Sequence, residues 1–160
     1  MKLLVPSDFD IPLRLEHSRF FLRPLVISDV VKDYDAVMTS VDHLQGTFGP
    51  KLSWPSPDLT FEQDLIDLGW HNKEFQLRNS FAYTVMSSDE KQCLGCTYIY
   101  SSNRHPYEAE AYCWVRASHA DLDPILYEVF RSWLRDSWPF AKVAFPGRDP
   151  DWEQWNATAM

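Results

Sequence analysis

The stretch from Glu108 to Gly147 constrains the fold of this chain more than any other segment. Over residues 109–116, small and β-branched side chains alternate with larger or polar ones, and this period of two predicts a β-strand. Apolar side chains then recur at three- and four-residue steps from Leu122 to Leu134, which predicts an amphipathic helix. A second strand is predicted over residues 142–145. A strand, a crossing helix and a second strand favour a right-handed βαβ-type unit.

The connection between this strand and its helix carries two acidic residues. Asp121 or Asp123 is predicted to cap the helix, because a short carboxylate at that position accepts hydrogen bonds from the first free backbone N–H groups. Pro124 suits the first helical turn, where a missing N–H costs little. Trp138-Pro139 is predicted to end the helix.

Composition and charge narrow the class of protein. A length of 160 residues with 45% hydrophobic side chains predicts one globular domain. The net charge of −8 argues against nucleic acid as a main partner, because phosphate contacts dominate such binding. No segment has the length and apolarity of a membrane span, and the N-terminus lacks a signal-peptide pattern. Three cysteines, an odd number, then predict reduced thiols and a cytoplasmic location.

The rest of the chain predicts further strands and helices around this unit. Residues 1–18 are predicted to form an irregular lead-in, followed by a strand at 20–25, a helix at 29–41 and a long loop at 42–58. A second helix is predicted from Thr60 to about Arg78, with its apolar stripe at Phe61, Leu65 and Leu68. Residues 81–100 predict a β-hairpin. The expected fold is α/β: a single domain over residues 1–160, with a mixed sheet, helices on both faces and a tail at 148–160.

Three motifs in this order resemble those of the GNAT superfamily of acetyl-CoA-dependent N-acetyltransferases. They are Phe21-Leu22-Arg23-Pro24-Leu25 in the first strand, Leu94-Gly95-Cys96-Thr97-Tyr98-Ile99 in a central strand, and Trp114-Val115-Arg116 at the end of the strand that receives the pantetheine arm. The resemblance covers about residues 19–147. It implies the acyl-CoA N-acyltransferase fold, acetyl-CoA as cofactor, and an amine of a small molecule or peptide as acceptor.

The resemblance also implies where the cofactor would bind. The pantetheine arm would lie at Trp114 and Val115, and the diphosphate would lie at the following turn. The residues of that turn implied in binding are Arg116, His119, Ala120, Asp121 and Leu122.

This turn departs from the family's glycine-containing pattern. Residues 117–124 contain no glycine, and they place two aspartates where a helix N-terminus would receive an anion. In the family, a further helix and a strand pair follow the last strand identified here, so the C-terminal part is expected to be shortened. No tyrosine follows Tyr127 to protonate a leaving thiolate.

Candidate catalytic and acceptor residues lie in two segments. Glu108 and Glu110 lie on the strand that often supplies a general base in the resembled family, although solvated carboxylates are the commoner state of such residues. In the 42–58 loop, His43, Gln45, Phe48 and Trp54 could line an acceptor pocket, or the aromatic residues could cover the edge of the sheet.

Other patterns point to structure rather than chemistry. Cys93 and Cys96 have the spacing of a zinc knuckle, but no second cysteine pair exists and strand residues three apart face opposite sides, so no metal site is predicted. Ser118 and His119 are adjacent and lack a nucleophile-elbow pattern. The tryptophans of the 148–160 tail predict that it docks on the domain or that it contributes to a homodimer covering an exposed strand edge.

Two functions therefore remain open at the level of sequence. One is an N-acetyltransferase in which Glu110 deprotonates an amine through water. The alternative is a noncatalytic GNAT-fold binding or interaction module that has lost its cofactor loop. Fold alone does not decide between them.

Overall fold

The computed structural model describes residues 3–159, and within that range a single sheet has six strands. The strands are β1 (Leu15–Glu16), β2 (Phe20–Pro24), β3 (Phe81–Ser87), β4 (Cys93–Ser101), β5 (Ala109–Val115) and β6 (Val143–Ala144). Their order in the sheet is their order in the chain. All neighbours are antiparallel except β5 and β6, which are parallel. The predicted hairpin and the predicted unit of two parallel strands around a helix are confirmed.

The described part of the chain contains five α-helices, of which four lie between strands and the last follows β6. They are α1 (Val30–Met38), α2 (Val41–Leu44), α3 (Phe61–Gln76), α4 (Asp123–Ser137) and α5 (Trp152–Ala157), with 3₁₀ turns at Ile27–Asp29 and Ala117–Leu122. The short α2 lies almost entirely within the segment predicted as loop, and β1 lies within the predicted irregular lead-in. Residues 1, 2 and 160 of the predicted domain lie outside the described range. No helix between residues 3 and 159 is long and apolar enough to cross a bilayer.

The two faces of the sheet carry separate apolar cores, which confirms helices on both faces. Alternate residues of β5 such as Ala111 and Cys113 face the core beneath α4. Trp114 belongs to the opposite core, with buried residues of α1 and α3. The predicted stripe of α3 is partly wrong, because Phe61 is 43% exposed while Asp64 is buried.

The prediction that an aspartate caps α4 is wrong. The cap position is Leu122, whose backbone is helical (φ −77°, ψ −16°), and no side chain caps the helix. A 3₁₀ turn runs directly into α4, so the extended backbone that a capping side chain requires is missing. Asp121 instead accepts a hydrogen bond from Arg19 at 2.9 Å, and Asp123 accepts one from Arg148 at 2.8 Å.

The tail folds back onto the domain, as one of the two tail predictions stated. Asp151 and Gln154 form a reciprocal capping box at the start of α5. Trp155 is buried, and the Arg104 guanidinium lies 4.7 Å from its ring centroid. Gly147 adopts φ +88°, and a side chain there would collide with the Trp152 ring. The tail therefore closes one end of the gap between β5 and the chain that follows β6.

Candidate functional site

The first candidate site is the gap that opens between β5 and β6, named here the strand cleft. The two strands pair only at Ala109–Val143 and Glu110–Ala144. Beyond that point a cavity of about 350 Å³ lies against the free edge of β5. Its walls are residues 111–115 of β5, residues 43–47 after the start of α2, Asp123 and residues 146–148.

The free edge of β5 offers backbone groups to a ligand in the strand cleft. The Arg116 N–H donates to the Leu94 carbonyl at 2.8 Å, on the β4 side. Strand residues alternate in the side to which they turn their peptide groups, so Cys113 and Val115 turn theirs toward the cleft. The Cys113 carbonyl does accept a hydrogen bond from within the cleft, at 3.2 Å. An unpaired strand edge of this kind can hold an extended, amide-bearing ligand.

That hydrogen bond comes from Arg148, which bridges the strand cleft. Its guanidinium binds both carboxylate oxygens of Asp123 at 2.8 Å and also reaches Cys113. Burial opposes the charged form, yet the hydrogen bond with Asp123 raises the pKa of Arg148, so the guanidinium stays charged. The side chains of Arg148 and Asp123 are 27% and 36% exposed. Asp123, at the start of α4, and Arg148 are thus already paired with each other.

The turn expected to hold a diphosphate has its amides engaged elsewhere. The N–H of Ala117 donates to Ser40 Oγ at 2.9 Å, and that of His119 donates to the Arg116 carbonyl at 3.0 Å. The N–H of Asp123 donates to the Ala120 carbonyl within the 3₁₀ turn. Two amides of the turn 117–122 are thus engaged within the protein and its end is acidic, and both features disfavour a diphosphate in this conformation.

The side chains of the predicted cofactor residues are also mostly structural. The buried Arg116 guanidinium donates to the Cys93 carbonyl at 3.1 Å, to Asp35 Oδ2 at 3.1 Å and to Thr39 Oγ1 at 3.2 Å. His119 Nδ1 lies 2.9 Å from Ser118 Oγ. The Val115 and Leu122 side chains are buried, while Ala120 and Asp121 are exposed. Of the predicted set, only Trp114 and Val115 line the strand cleft.

The two predicted general bases lie in different surroundings. Glu110 is half-buried and accepts a hydrogen bond from the Tyr112 hydroxyl at 3.1 Å. Burial raises the pKa of the Glu110 carboxyl, and the Tyr112 hydrogen bond lowers it in part. Glu108 is exposed and accepts the Ala141 N–H at 3.3 Å, near the end of β5 that pairs with β6. Glu110 is therefore the less exposed of the two, and neither of them is among the residues that line the strand cleft.

The second candidate site is a cavity of about 300 Å³ between α1, α3 and β4, named here the acid–aromatic cavity. Asp33 of α1 and Asp64 and Asp67 of α3 supply its carboxyl groups. Its ring-bearing walls are Phe48, Trp54, Trp70, His71, Tyr98 and Tyr100. Sequence reasoning identified Phe48 and Trp54 but none of the others as site residues.

Burial governs the ionisation of the groups in the acid–aromatic cavity. Burial raises the pKa of Asp33 well above its usual value, and the neighbouring carboxylate of Asp64 raises it further. Burial raises the pKa of Asp64 as well, and its interaction with Asp33 lowers that pKa in part. Burial also lowers the pKa of His71 to about 4, so its imidazole is neutral at pH 7. Asp64 Oδ2 and His71 Nδ1 have no hydrogen-bond partner among residues 3–159.

A layer of aromatic side chains separates the two cavities. The Phe48 ring lies 4.9 Å from Trp54 and 5.3 Å from Tyr112, centroid to centroid. The Trp114 indole donates to the Tyr98 hydroxyl at 2.9 Å. The four predicted acceptor residues are therefore divided: His43 and Gln45 line the strand cleft, while Phe48 and Trp54 line the acid–aromatic cavity.

The residues that sequence reasoning missed did carry a signal. Asp33 lies between Val30 and Val37 at helical spacing, on the side of α1 that is buried. Asp64 and His71 lie four residues before and three residues after Leu68, on the inner side of α3. Acidic side chains at core positions are rare and predict either a partner or a ligand. Arg148 gave no such signal, because its place in the cleft depends on the path of the chain after β6.

Comparisons with known proteins establish the fold. The chain is similar to the ribosomal-protein-S5-alanine acetyltransferase from Vibrio fischeri, with a TM-score of 0.65 and 17% identity over 89% of this chain and 79% of that one. It is also similar to RimL, a ribosomal L7/L12 alpha-N-protein acetyltransferase in complex with coenzyme A, with a TM-score of 0.60 and 16% identity over 79% and 69%.

A third similar structure is the GNAT domain of S. lividans PAT, with a TM-score of 0.54 and 13% identity over 80% of this chain and 76% of that one. No family model matches the sequence, and no curated protein is significantly similar to it. At these identities the likeness shows the fold: it is the GNAT acyl-CoA N-acyltransferase fold, as the sequence motifs predicted.

Proposed function

We propose that this protein is an N-acetyltransferase that transfers an acetyl group from acetyl-CoA to an amine. The observation that carries the proposal is the divergence of β5 and β6 around a cavity lined by the free edge of β5, within a GNAT fold. An edge of this kind can pair with the amide groups of an extended arm in the way it would pair with another strand. The proposal includes a cytoplasmic location.

Glu110 is the proposed general base. Acetyl-CoA would supply the activated acetyl group. In the transfer the acceptor nitrogen bonds to the acetyl carbon as the carbon–sulfur bond breaks, the nitrogen's proton passes to Glu110 through water, and the sulfur takes a proton from solvent. A carboxyl whose pKa is raised by burial is a stronger base than an exposed one, which suits this role. A free N–H group of β5 that turns toward the cleft would polarise the acetyl carbonyl.

Binding of the diphosphate would require arginines to exchange partners. The Arg19–Asp121 pair has side chains 48% and 66% exposed, and such pairs contribute little to stability. Arg19 could therefore move from Asp121 to a phosphate at small cost. The Arg148–Asp123 pair is less exposed and makes two hydrogen bonds, so it would exchange less readily.

Binding and transfer can be tested with one pair of variants. Binding is measured as the change in thermal stability and in tryptophan fluorescence when acetyl-CoA is added. Transfer is measured by mass spectrometry as the acetylation of a panel of amines. Glu110→Gln should lower the transfer rate by about a hundredfold or more, while Glu108→Gln should stay near the wild-type rate. The absence of any thermal shift at about millimolar acetyl-CoA would refute the proposal, since a ligand specific for the native state stabilises it by mass action.

One observation favours a second function, a noncatalytic binding module. The Arg148 bridge from Asp123 to the Cys113 carbonyl occupies part of the β5 edge that an acyl-CoA arm would use. The double variant Asp123→Asn/Arg148→Gln removes both charges and keeps a polar side chain at each position. If this variant binds acetyl-CoA and the wild type does not, the bridge keeps the cleft closed in the native protein and the second function is preferred.

A further inference from the structure

We propose that the acid–aromatic cavity binds an alkylammonium group and so anchors the charged end of a diamine, whose other end is the acetyl acceptor. The inference deepens the proposed function and rests on it for the identity of the acceptor. The binding of the cation itself is a separate claim and can be measured without acetyl-CoA.

The cavity carries negative charge that the protein leaves without a cationic partner. Of the described residues lining it, three are aspartates and none is lysine or arginine. Asp29 lies near enough to Asp33 to raise the pKa of its carboxyl, and Asp29 is itself paired with Arg23. Arg23 is fully engaged, because it donates to Asp29 at 2.7 and 2.9 Å and to Glu90 at 2.8 Å. Burial of an uncompensated carboxylate is unfavourable, and a bound organic cation would remove that cost.

Two buried polar atoms of the cavity lack a hydrogen-bond partner among the described residues. Asp64 is only 5% exposed, and its Oδ2 atom has no partner within residues 3–159. Nδ1 of the neutral His71 ring is likewise unpartnered there. Native proteins satisfy the large majority of such atoms. An ammonium group has three N–H donors and no acceptor, so it matches the unpartnered Oδ2 atom of Asp64.

The other walls of the cavity suit an alkyl chain and a positive charge. The Tyr98 and Tyr100 rings are stacked with centroids 6.1 Å apart, and the Phe48 ring packs edge-on against Tyr98 at 5.3 Å. Aromatic faces attract an organic cation and exclude water from its methylene groups. Within residues 3–159 no set of three or more histidine, cysteine, aspartate or glutamate side chains is arranged to hold a metal ion. The lining therefore matches an organic cation.

The same aromatic layer leads from the carboxylates to the proposed base. The Tyr100 and Tyr112 ring centroids are 6.0 Å apart, and the Tyr112 hydroxyl donates to Glu110 at 3.1 Å. Because these rings separate the two cavities, a linear diamine with one ammonium at Asp64 would reach Glu110 only by displacing Tyr100 and Tyr112. Its second nitrogen would lose a proton there and attack the acetyl carbon, as described for the proposed function.

The test compares three probes of equal chain length: hexanediamine, hexylamine and hexanol. Binding is measured by calorimetry and by thermal shift, in the absence of acetyl-CoA. Hexanediamine and hexylamine should bind, and hexanol should bind at least about tenfold more weakly. Asp64→Asn should weaken binding of both amines by about tenfold or more. Asp58→Asn, which makes the same change in net charge at an exposed site, should leave it unchanged.

Each other outcome overturns the inference. Equal binding of hexanol would make the cavity a nonspecific apolar pocket. Equal loss in Asp58→Asn would mean that overall charge, not Asp64, attracts the amines. Binding of a short peptide with a free N-terminus, but of neither alkylamine, would assign the site to peptides.

The outcome for the proposed function is read separately. If the amines bind but no acetyl transfer occurs, the cation site stands and the proposed function fails. If acetyl-CoA binds and a panel amine is acetylated while Asp64→Asn behaves as wild type, the proposed function stands and the cation site fails.

Discussion

The strand cleft and the acid–aromatic cavity lie on either side of one aromatic layer, yet they treat charge in opposite ways. In the cleft, Asp123 is bound by Arg148, and on the nearby turn Asp121 is bound by Arg19. In the acid–aromatic cavity, the carboxyls face aromatic rings and one another. The difference teaches that the strand cleft, where the family resemblance predicted the cofactor, has its acidic groups paired with arginines. The acid–aromatic cavity, to which the fold by itself gives no role, has carboxyls without a cationic partner.

The largest effect on stability is expected where β4, which lines the acid–aromatic cavity, packs against β5, which lines the strand cleft. In β4, Gly95 lies so close to β5 that an added Cβ would be 2.0 Å from the Trp114 carbonyl oxygen. Gly95→Ala should therefore push β5 outward and lower the free energy of unfolding by about 3 kcal/mol. Urea denaturation followed by tryptophan fluorescence measures this change, and both cavities should lose their ligands in the same variant.

Gly69→Ala is the matched control. Gly69 lies inside α3, where the nearest atom to an added Cβ is the flexible end of Ile27 at 3.4 Å. Alanine is the better helix former, so this variant should be as stable as the wild type or up to about 1 kcal/mol more stable. Equal stability of Gly95→Ala and the wild type would show that β4 and β5 do not approach so closely.

The next effect concerns the charge of the acid–aromatic cavity. Because burial raises the pKa of Asp33, the folded state holds its proton more tightly than the unfolded state does. This contribution to stability is complete below the usual pKa of 3.8 and is lost as the pH rises through the folded-state value. Asp33→Asn should therefore gain stability relative to the wild type as the pH rises above about 4.

The measurement is urea denaturation of both proteins at a series of pH values, with Asp58→Asn as the control. His71 contributes a slope of opposite sign, because its pKa is lowered to about 4 and its stabilising effect is lost as the pH falls below the usual 6.5. His71 is present in both proteins, so its contribution cancels when the free energy of unfolding of Asp33→Asn is compared with that of the wild type. A difference that does not vary with pH would contradict the assignment of a protonated Asp33.

The smallest effect contrasts the two ion pairs near the strand cleft. Asp123→Ala leaves the half-buried Arg148 guanidinium without its two-bond partner, so it should lower the free energy of unfolding by about 1 kcal/mol. Asp121→Ala removes an exposed pair with Arg19 and should cause no measurable change in stability. Chemical denaturation at low and high salt checks both. If the two variants lost equal stability, the Arg148 bridge would have no special role.

The sequence predicted the fold well where the pattern was local. The alternation over 109–116 and the helical periodicity after Leu122 correspond to β5 and α4, and the hairpin corresponds to β3 and β4. The prediction failed at the cap of α4, where residues distant in sequence decided the outcome. Arg19 and Arg148 bind the two aspartates that could have capped the helix, and no periodicity in residues 117–124 reveals those partners.

The candidate site was predictable only in part, for a similar reason. Glu110 and the aromatic residues Phe48 and Trp54 were identified because their segments carried a recognisable pattern or an unusual composition. Asp33 and Asp64 come from two helices about thirty residues apart, and each looks like one more acid on an acidic helix. Only the packing of α1 and α3 against β4 turns both inward.

By itself, the sequence determined the order of strands and helices, the GNAT-like arrangement around β5, and the acidic, glycine-free turn before α4. The tertiary structure decided which carboxylates have a cationic partner and which face only aromatic rings. Periodicity is a property of neighbours along the chain, and it sets secondary structure through backbone hydrogen bonding and the burial of one face. The pairing of charges depends on distances across the fold, because electrostatic attraction weakens with separation and strengthens with burial.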